Sequence, residues 1–281
     1  MKHLSSSTRL LATALCGFSL LVGCKPKEAT PPATDSTAQK ATVAQPIMMI
    51  AADSSPEFPN AKLQIVSPRE GQVLKNANDS VAVVMNVTGM ELAKPTEGDA
   101  TRGIAFSKDG AHVHVIIDEK PYMADYKNGQ PFMVGVLAPG KHTIRAFPSR
   151  SWHESVKTAG AFATRTFYVG EAPKKGMKDS TATDLKGPLL TYSRPKGTYS
   201  AKDAEKLLLD FYVSNCKLAA DGYHVAVSID GKDMGTIANW APRYITGLTS
   251  GKHTIALKLL DAKGNVVPGA YNSPSAEITV Q

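Results

Sequence analysis

The segment DGAHVHVIID at positions 109–118 returns as DGYHVAVSID at 221–230, and each copy is followed by a second echo, PGKHTI at 139–144 and SGKHTI at 250–255. A constellation that recurs with its internal spacing nearly kept is a duplicated unit. The chain must therefore fold as something that about a hundred residues can complete and then repeat. Apolar periodicity decides what that unit is. Val81, Val83, Met85 and Val87 alternate with their neighbours, as do Val113, Val115 and Ile117, and a period of two is the mark of strands. Residues 63–66, 142–147, 163–169, 207–213 and 276–280 continue the pattern between turns rich in Gly, Pro and Asp. Helical periodicity is confined to a turn's worth at 201–208. The expected fold is all-β: two tandem immunoglobulin-like antiparallel β-sandwich domains, at 61–170 and 187–281, joined by a linker at 171–186 and preceded by a disordered tether.

The two copies differ in length at one place. Ser67 and Ser193 are 126 positions apart, while His112 and His224 are 112 apart, so the first copy holds 14 extra residues between these markers. They fall at 89–108, where a long polar loop at one end of a sandwich is either a binding surface or a tolerated insertion.

The amino terminus reads as an export signal. Lys2 and Arg9 precede an apolar run at 10–22 that is short for a membrane span, and the run closes on Leu21, Val22, Gly23 and Cys24. This closing tetrapeptide resembles the bacterial lipoprotein box, which implies cleavage after residue 23 and lipidation of Cys24. Acyl chains contribute about 0.8 kcal/mol per buried methylene, so two or three of them anchor firmly. The expectations are a signal peptide at 1–23, a lipidated cysteine with a flexible Pro/Ala/Thr linker at 24–60, and a bacterial cell-envelope location. Lys25, standing where an aspartate would retain the protein at the inner membrane, favours the outer membrane.

Three cysteines are present, and of these Cys16 leaves with the signal and Cys24 carries lipid. Cys216 is then alone, which excludes an intrachain disulfide and a CxxC metal cage and points to a small apolar residue at a strand end. The formal charge of +7 falls to +5 once Lys2 and Arg9 are removed. That balance suits an anionic envelope surface and gives no argument for nucleic acid.

Strand parity sorts the histidines. Val113, Val115 and Ile117 share one face, and so do Val225, Val227 and Ile229, so these rows are the predicted core and His112, His114 and Asp118 face outward. His142 and His253 sit at the rim of the core in both copies. A structural role fits them, one ring nitrogen bonding a turn carbonyl. Asp230 with Gly231 is a hairpin signal, and Asp118 stands in its place in the first copy.

His114 and His153 have no counterpart in the second copy, which has Ala226 at the first of these positions. Two imidazoles at i and i+2 on one strand face can share a copper or zinc ion, and the segment 148–155 is placed to fold His153 over them. Glu154 does not make a zinc-protease motif, because Lys157 stands where the second histidine would be. Arg145, Arg150, Trp152 and Glu154 form a candidate binding surface beside these histidines. Tyr122, Tyr126 and Trp240 are aromatics that either stack on a sugar or peptide or cap the core. No GxSxG, phosphate loop or CxxC is present, so no catalytic residues are assigned.

Ser67, Pro68 and Gly71, then Gly89 and Met90, then His112 and His114 running into Ile117 and Asp118, and finally Pro139 to Thr143, resemble an uncharacterised family of secreted bacterial domains. The second half, around 190–199, resembles the carboxy-terminal part of similar exported proteins. The resemblance implies an immunoglobulin-like lipoprotein and no known activity. The favoured expectation is a non-catalytic envelope binding or scaffold module without a cofactor, with an unknown envelope protein or glycan as partner. The alternative is a periplasmic copper- or zinc-binding protein using His112, His114 and His153.

Overall fold

A computed structural model describes residues 45–171 and 184–281. The signal, Cys24, the tether before residue 45 and most of the 171–186 linker lie outside the described residues.

The strands in chain order are β1 (Met48–Ala51), β2 (Lys62–Ser67), β3 (Gln72–Leu74), β4 (Ser80–Thr88), β5 (His112–Ile117), β6 (Met123–Asp125), β7 (Pro131–Val136), β8 (Gly140–Ser149) and β9 (Ala163–Val169). The second half continues with β10 (Leu189–Arg194), β11 (Gly197–Tyr199), β12 (Leu207–Ser214), β13 (His224–Ile229), β14 (Lys232–Ile237), β15 (Arg243–Thr246), β16 (Gly251–Leu260) and β17 (Ser275–Val280). A short α-helix, α1 (Ala201–Ala204), lies where the helical turn was expected, its amino end capped by the Ser200 hydroxyl accepting from the Asp203 amide.

Among the described residues the strands form four sheets, ordered β2-β4-β7, β3-β9-β8-β5-β6, β1-β15-β12-β10 and β11-β17-β16-β13-β14. Apart from β1, the second pair is the first pair with eight added to every label, so the sequence repeat is a repeat of topology. β3 runs parallel to β9 and β11 parallel to β17, while the other pairings are antiparallel. Each half is thus an all-β sandwich of immunoglobulin type, in which the first strand breaks at a turn and its second part crosses to the other sheet. Val83, Val113, Val115, Ile144 and Phe167 centre one core, and Leu209, Val225, Ile229, Ile255 and Leu257 the other. The alternating rows expected at 113–117 and 225–229 are in these cores.

The stretch 24–60 does not remain a free tether to its end. Its apolar spot forms β1, which pairs antiparallel with β15 and adds a fourth strand to a sheet of the second half. Ile47 and Met49 pack on the second core and Phe58 on the first, so the hydrophobic effect overrides the polar composition here.

Outward-facing His112 and His114 are likewise corrected. Parity places them opposite the core row, as read, but the second half covers that side. All six residues of β5 are buried, as are eight of the ten in β8, whereas β13 and β16 keep the alternation of a half-solvated sheet. The covering surface is β10 and β12, the latter buried over its first seven residues. Ile116, Tyr122 and Phe147 pack there on Tyr212, and Trp152 and Ile104 on Leu208 and Tyr244.

Polar groups also cross this seam. Asp210 of β12 accepts from the Ser155 amide and hydroxyl, each at 3.0 Å, and from Lys157 Nζ at 2.6 Å. The candidate surface of Arg145, Arg150, Trp152 and Glu154 is interior as well: all four are buried. Arg145 donates to Thr191 Oγ1 and to the Asp118 carbonyl. Arg150 pairs with Glu154, which also accepts from Trp152 Nε1 at 2.8 Å. Arg145 and Trp152 hold the halves together, Arg150 and Glu154 tie the hairpin to Pro56 and Ser55, and none of the four presents a surface to a partner. The aromatics Tyr122 and Trp240 cap the packing, and Trp240 Nε1 donates to the Phe211 carbonyl.

The longer loop of the first copy is docked as well. Thr96 N bonds Ser151 Oγ, Ser107 N bonds the Ser151 carbonyl, and the Arg102 guanidinium lies 4.0 Å over the Trp152 ring. The insertion therefore braces the hairpin that carries His153.

Candidate metal centre

The site begins with two residues at i and i+2 on β5. His112 and His114 project from the same face, and the antiparallel register sets them opposite Ser149 and Phe147 of β8. The chain leaves β8 into a tight hairpin closed by the Arg150 amide on the Glu154 carbonyl and by the His153 amide on the Arg150 carbonyl. His153 takes φ 69° there, in the left-handed region. That conformation costs a residue with a Cβ about 1–2 kcal/mol, and Gly or Asn would adopt it more cheaply. Holding a histidine in it returns the imidazole over β5.

The three rings converge. His112 Nε2 is 3.2 Å from His114 Nε2 and 3.1 Å from His153 Nδ1, and all three nitrogens lie within 4.8 Å of one another. Nitrogens bound to one ion at about 2.0–2.1 Å would stand roughly 3.3–3.6 Å apart in tetrahedral or trigonal geometry. The two spacings from His112 Nε2 are close to that.

The outer nitrogens orient the rings. His112 Nδ1 is 2.9 Å from the Gly110 carbonyl. A carbonyl can only accept, so Nδ1 carries the proton and the Nε2 lone pair of the neutral ring faces the cluster. Gly110 itself cannot be replaced, because a Cβ there would fall 2.4 Å from the Lys94 backbone. His114 Nδ1 meets Ser193 Oγ at 3.1 Å, a partner supplied by β10 of the other half. A carbonyl on the far nitrogen fixes the tautomer of a ligating histidine, while the Ser193 hydroxyl, which can donate or accept, holds the His114 ring in place.

The electrostatics keep these rings neutral. Burial pushes His112 down from 6.5 to about 4; the Gly110 carbonyl opposes this, and the charges of Arg194 and Lys196 add to it. His114 is driven well below its ordinary value by burial and then by His112 and His153. His153 is lowered by burial, then by Arg194 and His112. Among the described residues no carboxylate lies within hydrogen-bond distance of the three rings. Neutral imidazole is the form that ligates a metal.

Aromatic rings wall the centre. Tyr122 stacks on His114 with centroids 3.5 Å apart and planes 10° from parallel. Its hydroxyl is 3.3 Å from His153 Nδ1, and burial raises its pKa above the usual phenol range, so it stays protonated. The Tyr126 centroid lies 4.8 Å from that of His112.

The second half has no such centre, since Ala226 stands where His114 does. What it shares with the first is the rim pair. His142 Nδ1 meets Asp118 Oδ2 at 2.8 Å and Nε2 meets the Ala138 carbonyl, and His253 repeats this with Asp230 and Thr249. Each Asp also accepts the amide of the residue after the histidine. These histidines clamp a hairpin to the following strand, the structural role their position suggested. Cys216 is half-buried against the second core, and burial raises its thiol to about 11, an unreactive setting.

Sequence reading found the three histidines but not the contributors from the other half, Ser193, Arg194 and Lys196. The available signal was that both faces of β5 and β12 carry large apolar residues: Ile116 stands on the face of His112 and His114, and β12 is apolar at every position but Asp210 and Ser214. Such a pattern belongs to strands buried on both faces.

No protein-family model matches the chain, and no curated protein matches it. Solved structures that it is similar to include the fibronectin(III)-like modules of Clostridium thermocellum CbhA, 14% identical over 78% of this chain and 94% of that one, with a TM-score of 0.26. The central fibronectin-III array of RIM-binding protein is 13% identical over 82% and 71%, with a TM-score of 0.25. A Bacteroides ovatus SGBP-B solved in complex with a mixed-linkage heptasaccharide is 14% identical over 78% of this chain and 47% of that one, with a TM-score of 0.23. At these values no function is carried across.

Proposed function

We propose that this protein is a non-catalytic, membrane-anchored envelope lipoprotein whose ligand is a transition-metal ion, copper or zinc, held by His112, His114 and His153. The observation that carries the metal reading is the convergence of three neutral imidazole nitrogens from two separate segments, His153 standing 41 positions after His112, with His112 Nε2 lying 3.2 and 3.1 Å from the other two. Packing alone does not require three ring nitrogens to face one another, and the Tyr122 hydroxyl, 3.3 Å from His153 Nδ1, is the donor that stands beside them in the metal-free protein. The strained backbone of His153 supports the same reading, since such conformations gather where function needs them. The polar partner on each β5 histidine's outer nitrogen supports it further.

The anchor is proposed from the 10–24 motif. Among the described residues no helix is long and apolar enough to cross a membrane, and the reading is of a lipid at Cys24, with the outer membrane favoured by Lys25. An envelope protein or glycan bound through Arg145, Arg150, Trp152 and Glu154 is not proposed, because these side chains are interior.

The test is calorimetric titration of the full-length chain, purified metal-free, with copper and zinc ions, beside His114→Ala and His153→Gln. Submicromolar binding of one ion per chain, weakened at least 100-fold in both variants, is expected. No binding, or binding indifferent to both changes, would sink the metal reading. For the anchor, Cys24→Ser protein should lose its place in the membrane fraction or remain unprocessed. Mature, processed protein still partitioning with membranes would contradict lipidation.

A further inference from the structure

Resting on that metal reading, we infer that the His112–His114–His153 centre selects a monovalent ion, cuprous copper, over divalent zinc. Ligand type does not decide between them, because imidazole suits both metals. Charge does.

The donor set brings no negative charge. Its three ligands are neutral rings, and among the described residues no thiol lies beside them and no carboxylate is hydrogen-bonded to any ring. The surroundings are positive. The Lys196 Nζ lies 3.8 Å and the Arg194 guanidinium 5.3 Å from the Tyr122 ring, which itself stacks 3.5 Å from His114. Arg194 is held by the Tyr199 hydroxyl, and Lys196 by the Tyr122 carbonyl; neither is paired with an acid among the described residues. Repulsion by fixed cations scales with the charge of the bound ion, so a divalent ion meets twice the penalty of a monovalent one.

Enclosure sharpens the difference. His112 and His114 are each 0% exposed, so an ion entering sheds most of its water and receives no anion in exchange. The desolvation cost rises steeply with charge. Zinc in closed protein sites takes four ligands, usually including thiolates, and in open sites it keeps a water. Here three nitrogens converge. Cuprous ion is content with two or three donors and needs no anionic one.

The experiment is competition under anaerobic, reducing conditions, using the full-length protein. Cuprous ion is presented bound to bicinchoninate, and zinc bound to a chromophoric zinc chelator, with Lys196→Gln measured beside the wild type. Glutamine keeps a donor for the Tyr122 carbonyl and removes only the charge, and matching thermal unfolding of the metal-free proteins checks that the variant is folded. The expected result is a dissociation constant for cuprous ion at least 100-fold below that for zinc. Lys196→Gln should strengthen zinc binding by about the square of the factor by which it strengthens cuprous binding. Zinc binding as tight as cuprous binding, or equal gains for the two ions in the variant, would overturn the selectivity while leaving the metal site standing. Binding of neither ion would overturn both.

Discussion

His114 Nδ1 of the first sandwich meets Ser193 Oγ of the second at 3.1 Å, so the histidine cluster belongs to the seam between the halves and not to one of them. The hydroxyl orients the ring whose other nitrogen faces His112. Ser193→Ala should therefore weaken metal binding by roughly 10- to 100-fold, the usual effect of removing an outer partner of a ligating histidine, with the fold retained. Chelator competition on the two proteins measures it; unchanged affinity would show that packing alone sets the ring.

His153 carries opposite demands in its backbone and its side chain. His153→Gly removes the imidazole and relieves the φ of 69°, so strain relief and lost packing nearly cancel. The metal-free variant should match the wild type in stability to within about 1 kcal/mol while its metal affinity collapses. A loss of several kcal/mol in urea unfolding would mean that the ring is chiefly a packing element.

Acid should destabilise the metal-free protein in a defined window. His112 titrates at about 4 in the folded chain against 6.5 when unfolded, so between these values the unfolded state binds more protons and stability falls as pH falls. Its contribution is complete above pH 6.5, and about 3 kcal/mol is lost by pH 4 from this residue alone. His114 and His153 shift in the same direction and add to the loss. His253 works the other way. Burial lowers it, but the Asp230 carboxylate and the Thr249 carbonyl raise it further, so its contribution is present below 6.5 and lost as pH rises through its folded value. Urea unfolding at pH 7, 6, 5 and 4 on wild type and His253→Gln separates the two. A wild-type profile flat from pH 7 to 4 would contradict the buried neutral cluster.

Asp210 should be among the most costly residues to remove. Its side chain is 0% exposed and the first half surrounds it with the Lys157 ammonium and two donors of Ser155. Asp210→Ala leaves the Lys157 ammonium and the Ser155 donors without their acceptor, a change that costs about 3–5 kcal/mol. Residues 61–170 expressed alone would face the same loss. The two halves are thus expected to depend on each other for stability, and not to unfold as strangers. Thermal unfolding of Asp210→Ala with an unchanged midpoint would refute this.

The repeat, the strand rows and the hairpin clamps were legible because they are local. Period two at Val113, Val115 and Ile117 needs only neighbours to interpret it, and the return of His142 as His253 marks a structural histidine bonded to a turn carbonyl, although its pairing with Asp118 or Asp230 was not evident. The seam was not legible, because parity says which side a residue faces and not what covers that side. The clue was compositional: a solvated strand face would not carry Ile116 beside His112 and His114, nor Phe147 beside Arg145. Charged residues then misled, since Arg145, Arg150 and Glu154 read as surface. They are interior because each finds a partner across or along the seam, the condition under which buried charge is tolerated. β1 was missed because a three-residue apolar spot in a polar stretch acquires meaning only from the sheet edge it meets.

The central claim is that three imidazoles hold one ion. X-ray absorption spectroscopy at the metal edge, on protein loaded with one equivalent of copper under reducing conditions, tests it most directly. A first shell of three nitrogens near about 2.0 Å with imidazole outer-shell scattering, lost in His153→Gly, is the expected result. A shell of oxygen donors without imidazole scattering, or one unchanged in His153→Gly, would contradict it.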